Sequence, residues 1–197
     1  MRLLLIRHGE SEADILHVHE GRADFELTER GHRQAEAMSA YAAGSYSIDK
    51  IYHSTLKRAL QTAEHLAAAT GAPLIAEDML REHDNGLLAG LPYDEAAAKY
   101  PRRDVPLHTS LYEQESVLAF RYRAEVMLSK LLSENGTDST IAAVTHGGMA
   151  DQLFKAFMRL PTDAGYRLFS GDTCIHELLV ENGCRMIVRL NFVPHDI

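Results

Sequence analysis

The chain has little cysteine, no long apolar run and no excess of positive charge, and each shortage excludes a class of protein. Two cysteines in 197 residues, Cys174 and Cys184, are too few for a disulfide framework or a thiolate zinc site. They suit a reducing compartment, and their simplest use is as small apolar fillers, with a bridge across a hairpin as the other option. No apolar stretch approaches the ~18 residues of a membrane-spanning helix. The run after Met1-Arg2 is too short for the core of a secretory signal and reads as a first strand. Together these features lead us to expect a cytoplasmic protein. With 28 Asp and Glu against 20 Lys and Arg, the formal net charge is -8. Such a chain is a poor partner for nucleic acid or an anionic membrane surface. Any attraction for an anionic ligand must come from a local basic pocket. Repeats, low-complexity tracts and obvious linkers are also lacking. The length fits one domain over residues 1–197, large enough to bury a core without staples.

What is present is a regular alternation of strand and helix patterns. Leu3-Leu4-Leu5-Ile6 is continuously apolar, as in a strand buried on both faces. Residues 10–27 are polar and read as loop. Ala35, Met38, Tyr41 and Ala42 share one face of a helix predicted over 28–43, with Gly44 as its stop. A second strand is predicted over 48–53. Ser54 then reads as the N-cap of a helix burying Leu56, Ala59, Ala63 and Leu66 and ending near Gly71. A short third strand is predicted over 73–76. Residues 80–116, broken by Gly86, Gly90, Pro92, Pro101 and Pro106, read as a loop-rich, lid-like excursion with one short helix over 93–100. A helix from Val117 to near Gly136 follows, then a strand over 140–145 and a helix over 149–158. Strands over 174–181 and 184–192 are joined by Asn182-Gly183, a strong hairpin signal. This order predicts an α/β fold with a mostly parallel sheet, helices on both faces, and a closing antiparallel hairpin.

In such folds ligands bind outside the carboxyl ends of the strands. The first strand ends in Arg7-His8-Gly9, the second leads to Arg58, and the strand over 140–145 ends in His146-Gly147-Gly148. Two His and two Arg converging on one crevice make a pocket for a dianion, because guanidinium forks match phosphate oxygens. The start of the helix after Ser54 is expected to add N–H groups. Gly9, Gly147 and Gly148 are expected to let backbone approach a ligand. A His buried among cations is driven to its neutral form, and a neutral imidazole has a lone pair with which to attack phosphorus. The leaving oxygen then needs a proton from a carboxylic acid near the mouth, for which Glu82 leads. Taken singly, each of these residues has an ordinary structural use. Their joint position at strand ends carries the functional reading.

These segments resemble the histidine phosphatase superfamily, the phosphoglycerate mutase-like group. Arg7-His8-Gly9-Glu10-Ser11 looks like its signature, and 20–31 is similar to the stretch leading into its Leu-Thr-Glu helix start. The segments 54–63, Leu80-Arg81-Glu82, Glu115-Ser116 and Thr145-His146-Gly147-Gly148 follow in the family's order, so the likeness runs from residue 1 to about 150. The resemblance implies a three-layer α/β/α fold and a phosphatase that works through a phosphohistidine on His8. It implies that Arg7, Arg58 and His146 hold the phosphoryl group, with Gly147 alongside, and that Glu82 is general acid and base. It implies no metal and no cofactor. The expected partner is a small-molecule phosphate ester; a homodimer is possible but is not readable from the chain.

The chain also departs from the family. Asp14 stands where an Asn often donates to phosphate, and Glu20 where a Gln often precedes Gly21. Leu88-Ala89 replaces a Trp-Glu pair, and Gln114 replaces a Gly. Asp14 and Glu20 remain candidates for contact with substrate. With Glu12, His17 and His19 they could form an acidic rim that selects a substrate carrying an amine, the plainer reading being a solvated loop. A metal site at His17 and His19 lacks further ligands at a suitable spacing. Lys99, Arg102 and Arg103 suit either a basic lid or a solvated helix end, and Arg81 could either guide phosphate or disturb Glu82. The chain is short for a glycolytic mutase of this group, which favours hydrolysis. The alternatives are a mutase-type phosphotransferase and a non-catalytic domain that binds phosphorylated ligands.

Overall fold

The computed structural model describes residues 1–194. Six strands form one sheet in the order β3-β2-β4-β1-β5-β6. They are β1 Arg2–Arg7, β2 Lys50–His53, β3 Leu74–Ala76, β4 Thr140–Thr145, β5 Ile175–Glu181 and β6 Cys184–Phe192. The first four are parallel, and the β5–β6 hairpin pairs antiparallel to β1. Asn182 and Gly183 both have positive φ, as a tight hairpin turn with this hand of twist requires.

The unbroken apolar runs explain the layering. Side chains alternate across a strand, so Leu3 and Leu5 face one side while Leu4 and Ile6 face the other. Leu3, Leu5, Ile141 and Ala143 pack with α5 (Val117–Ser133) and α6 (Gly147–Phe157) through Phe120, Met127, Leu153 and Phe157. Leu4, Ile6, Ala142 and Val144 pack with α2 (Glu29–Ser45) and α3 (Lys57–Thr70) through Met38, Ala42, Ala59, Ala63 and Leu66. The three-layer arrangement follows from two apolar faces on one sheet.

Sheet order places the site. β1 and β4 are neighbours in register, with Arg7 opposite Thr145. The chain leaving β1 goes on to α2 on one face, while the chain leaving β4 enters α6 on the other. Divergent exits from adjacent parallel strands open a crevice between them. His8 and His146 stand at that crevice, and the His8 N–H donates to the Thr145 carbonyl at 3.0 Å.

Several local expectations need correction. The stretch 10–27 contains a short helix, α1 (Glu12–Leu16), whose first turn is closed by Asp14 accepting from the Ser11 N–H at 2.8 Å. α2 runs through Gly44 to Ser45, because that Gly stays in helical geometry and nothing at its site demands a stop. The N-cap of α3 is Leu56, and Asp24 takes the Lys57 N–H at 2.7 Å. The Lys57 N–H of that terminus is therefore taken up by protein. Cys174 is buried as expected, whereas Cys184 is an exposed free thiol on the hairpin. The excursion contains α4 (Tyr93–Lys99) and is stitched to the end of α1 by Val18–Pro92 pairing and by the His19 N–H on the Leu91 carbonyl at 2.9 Å.

Leu4 is fully buried on a central strand. Leu4→Ala is expected to lower the unfolding free energy by about 2–5 kcal/mol, read from urea unfolding. A cost under about 1 kcal/mol contradicts the packing described.

Candidate active site

His8 is buried at the mouth of β1, and its ring is oriented by backbone. A carbonyl only accepts, so Nδ1–H donates to the Gly9 carbonyl at 2.7 Å. In the neutral ring the lone pair is then on Nε2, where the Arg58 Nε–H meets it at 3.2 Å. Burial, then Arg58 and then Arg7 hold the His8 pKa well below the usual imidazole value. His146 is depressed in the same direction, first by burial and then by Arg58, His8 and Arg7. The two rings meet edge to face with centroids 5.0 Å apart.

Arg58 is fully buried, and each of its nitrogens has one protein partner, which leaves a second N–H on each terminal nitrogen for an anion. Its terminal nitrogens donate to the carbonyls of Gly21 and Ala23, each at 3.0 Å. The Glu20–Ala23 turn therefore aims Arg58. Arg7 donates to the Ser170 carbonyl at 2.8 Å and pairs with Asp172 at 3.1 Å. His146 Nε2 meets the Ser54 hydroxyl at 2.8 Å, while its Nδ1 is buried with no partner among the described residues. Because Ser54 Oγ already accepts from the Leu56 N–H at 3.3 Å, we assign its own proton to Nε2, which leaves the ring's proton on Nδ1. A buried unmet donor costs about 1–3 kcal/mol, so this position suits a polar ligand.

Glu82 lies across the crevice. Its carboxylate accepts from the N–H groups of His83 and Gly148, both at 2.8 Å. The second of these is the N-terminus of α6, where a carboxylate is favoured. The segment bearing Glu82 is pinned from two sides. The Thr145 hydroxyl donates to the Leu80 carbonyl at 2.6 Å, and Arg123 donates to the carbonyls of Met79, Arg81 and Glu82. Arg123 in turn holds Glu115 at 2.7 Å. Arg81 turns away from Glu82 toward Asp78, and Asp84 is taken by Arg22 at 3.1 Å.

The remaining sequence candidates divide. Asp14, His19 and Glu20 line the cleft, which has a volume of about 780 Å³. Glu20 lies 3.5 Å from Arg58 Nε and 3.8 Å from His8 Nε2, and it accepts from the Ser11 hydroxyl. Glu12 and His17 are exposed and do not line this cleft, so the proposed acidic rim is reduced to Asp14 and Glu20 beside His19. Gly9 is required by protein packing, because a Cβ there would meet the Gly31 carbonyl at 2.6 Å. Gly147 has ordinary room beside Arg7, whereas a Cβ at Gly148 would come within 2.4 Å of the Glu82 carboxylate. The glycine that the site needs is the second of the pair.

Arg123 and the hydroxyl of Ser54 escaped sequence reasoning. Arg123 has only a weak signal, a cation three residues after Phe120 beside the apolar stripe of α5. Ser54 was legible as a helix-start residue, but its partner His146 comes from a strand 92 residues away.

The profile of the histidine phosphatase superfamily (branch 1) matches residues 3–193. The chain belongs to this superfamily. Among its relatives, the phosphoserine phosphatase 1 of Hydrogenobacter thermophilus is 27% identical over 200 residues, covering 99% of this chain and 94% of that one. A 2,3-bisphosphoglycerate-dependent phosphoglycerate mutase of Bartonella quintana is 39% identical, but over 56% of this chain and 55% of its own. Among solved structures, a mycobacterial glucosyl-3-phosphoglycerate phosphatase with VO3 superposes with a TM-score of 0.82. It is 26% identical, over 96% of this chain and 98% of that one. The superfamily resemblance read from the sequence therefore holds over nearly the whole length, beyond the first 150 residues.

The glycine pair gives a direct test. In a crystal structure of Gly148→Ala the Glu82 carboxylate is expected to shift by about 1 Å, the gap between 2.4 Å and ordinary van der Waals contact. Gly147→Ala should leave it in place. An unmoved carboxylate in Gly148→Ala contradicts the contact.

Proposed function

We propose that the chain hydrolyses phosphomonoesters by passing the phosphoryl group through His8. His8 Nε2 attacks phosphorus, the N–P bond forms, and the ester P–O bond breaks. Glu82 gives its proton to the leaving oxygen. Water then attacks the phosphohistidine, loses a proton to Glu82, and the N–P bond breaks, which returns both residues to their starting states. Arg7, Arg58 and the free Nδ1–H of His146 meet the phosphoryl oxygens as charge spreads over them. Arg123 acts as a positioning residue through the Glu82 segment.

The observation that carries this reading is the orientation of His8. One nitrogen is tied to a backbone carbonyl, and the other turns its lone pair toward a buried guanidinium. That is a poor arrangement for a structural histidine and a good one for a nucleophile that takes up an anion. Glu20 and Asp14 carry charge opposite to that needed for phosphate donors. We assign Glu20 to orienting Arg58, and both to setting the charge at the cleft entrance.

Hydrolysis is favoured over transfer by the extent of the matches. The phosphatase relative aligns end to end, whereas the mutase aligns over about half of either chain. Adding 2,3-bisphosphoglycerate should accordingly leave turnover unchanged.

His8→Ala is expected to abolish turnover. Glu82→Gln should lower kcat by about 10²–10⁴-fold on alkyl phosphates and much less on esters with acidic leaving groups. With such an activated ester, Glu82→Gln should accumulate protein carrying one phosphoryl group on His8, seen by intact-mass and peptide spectrometry at neutral pH. Wild-type kinetics in Glu82→Gln on alkyl phosphates, or a phosphoryl group on another residue, overturns the assignment.

A further inference from the structure

A second chamber of about 560 Å³ adjoins the catalytic cleft beneath the excursion. The two share His19, His83, Tyr93, Arg102 and Val117 as walls. His83 directly follows Glu82 in the chain, so the chamber begins beside the acid that serves the leaving oxygen. A phosphate held by Arg7, Arg58 and His146 would thus point the alcohol half of its ester toward this opening.

The chamber differs in character from the cleft. Its walls are mainly carbon, with Leu88, Tyr100, Leu107 and Tyr112 among them, and Tyr100 and Tyr112 form a ring pair at 5.1 Å. Several apolar side chains facing it stay exposed: Tyr93 at 52%, Val117 at 44% and Leu107 at 39%. Apolar surface gathered around a concave space marks a ligand site more than scattered exposure does. Its volume far exceeds what a short hydroxyalkyl group would fill. Tyr and His faces suit a flat ring, which gains from edge and face contacts as well as from area. Of the basic residues considered in the sequence, Lys99 is engaged by Glu95, while Arg102 lies at the junction of the two spaces.

We propose that this chamber is the leaving-group subsite and that the favoured substrates are monophosphates of alcohols bearing an aromatic ring system. This rests on the hydrolytic reading of His8 and Glu82. The ring enters between Tyr93 and Val117, while the phosphate remains on the guanidinium groups.

The test compares esters whose leaving oxygens have similar basicity, so that ring binding and not leaving-group reactivity is read. Wild-type enzyme is assayed with 2-naphthylmethyl phosphate and with ethyl phosphate. The expected result is a kcat/KM for the naphthylmethyl ester at least about tenfold higher, the scale on which apolar pockets discriminate. Leu107→Asp, which lines the chamber and not the catalytic cleft, should remove most of that preference while leaving ethyl phosphate turnover unchanged. Binding of 2-naphthylmethylphosphonate, measured by calorimetry on wild type and on Val117→Gln, gives an equilibrium reading independent of turnover, with affinity expected to fall about tenfold in the variant. Equal kcat/KM for the two esters overturns the subsite while the hydrolytic reading stands. Failure to hydrolyse either ester overturns both.

Discussion

One imidazole kept uncharged among guanidinium groups is the constraint around which the rest of the molecule is arranged. Protonated, His8 would have no lone pair and would repel Arg58. Burial and the two nearby arginines oppose protonation together, and the Gly9 carbonyl decides which nitrogen keeps the hydrogen. Neutrality alone would allow the ring to turn over. The backbone contact makes the free lone pair and the cationic side of the crevice coincide.

The arrangement makes the fold sensitive to acid. Below the ordinary imidazole value of about 6.5, an unfolded chain binds protons that buried His8 and His146 refuse. Their folded pKa values are depressed, so stability is fully present above that pH and is lost as pH falls toward the folded values. His176, lowered to about 4 by burial, adds to the same trend. The site also explains the acidic residues that sit among its cations. Glu20 and Asp172 lie within reach of Arg58 and Arg7 and offset guanidinium charge while no dianion is bound.

Much of this was readable in the chain because the key residues follow strands at once. Leu3 to Ile6 announces a strand buried on both faces, and the next residues are Arg7 and His8. The run before His146 does the same. Strand order was not readable, since β4 enters between β1 and β2 only through tertiary packing, and that order makes the crevice. Residues acting through distant partners were also hidden. Arg123 works on carbonyls more than forty positions away, and Gly148 matters because Glu82 reaches it across the cleft. Elsewhere local rules misled. Gly44 looked like a stop but sits comfortably in a helix, and the acidic stretch after Ser11 folds into a turn of helix closed by its own Asp14.

Catalysis by His8 turns on the place of a single proton, which nitrogen-15 NMR of imidazole-labelled protein reads directly. With His8 assigned by comparison with His8→Ala, its ring is expected to be neutral at pH 6 in ligand-free protein, protonated on Nδ1 and bare on Nε2. An imidazolium at that pH, or a neutral ring with its hydrogen on Nε2, would contradict it.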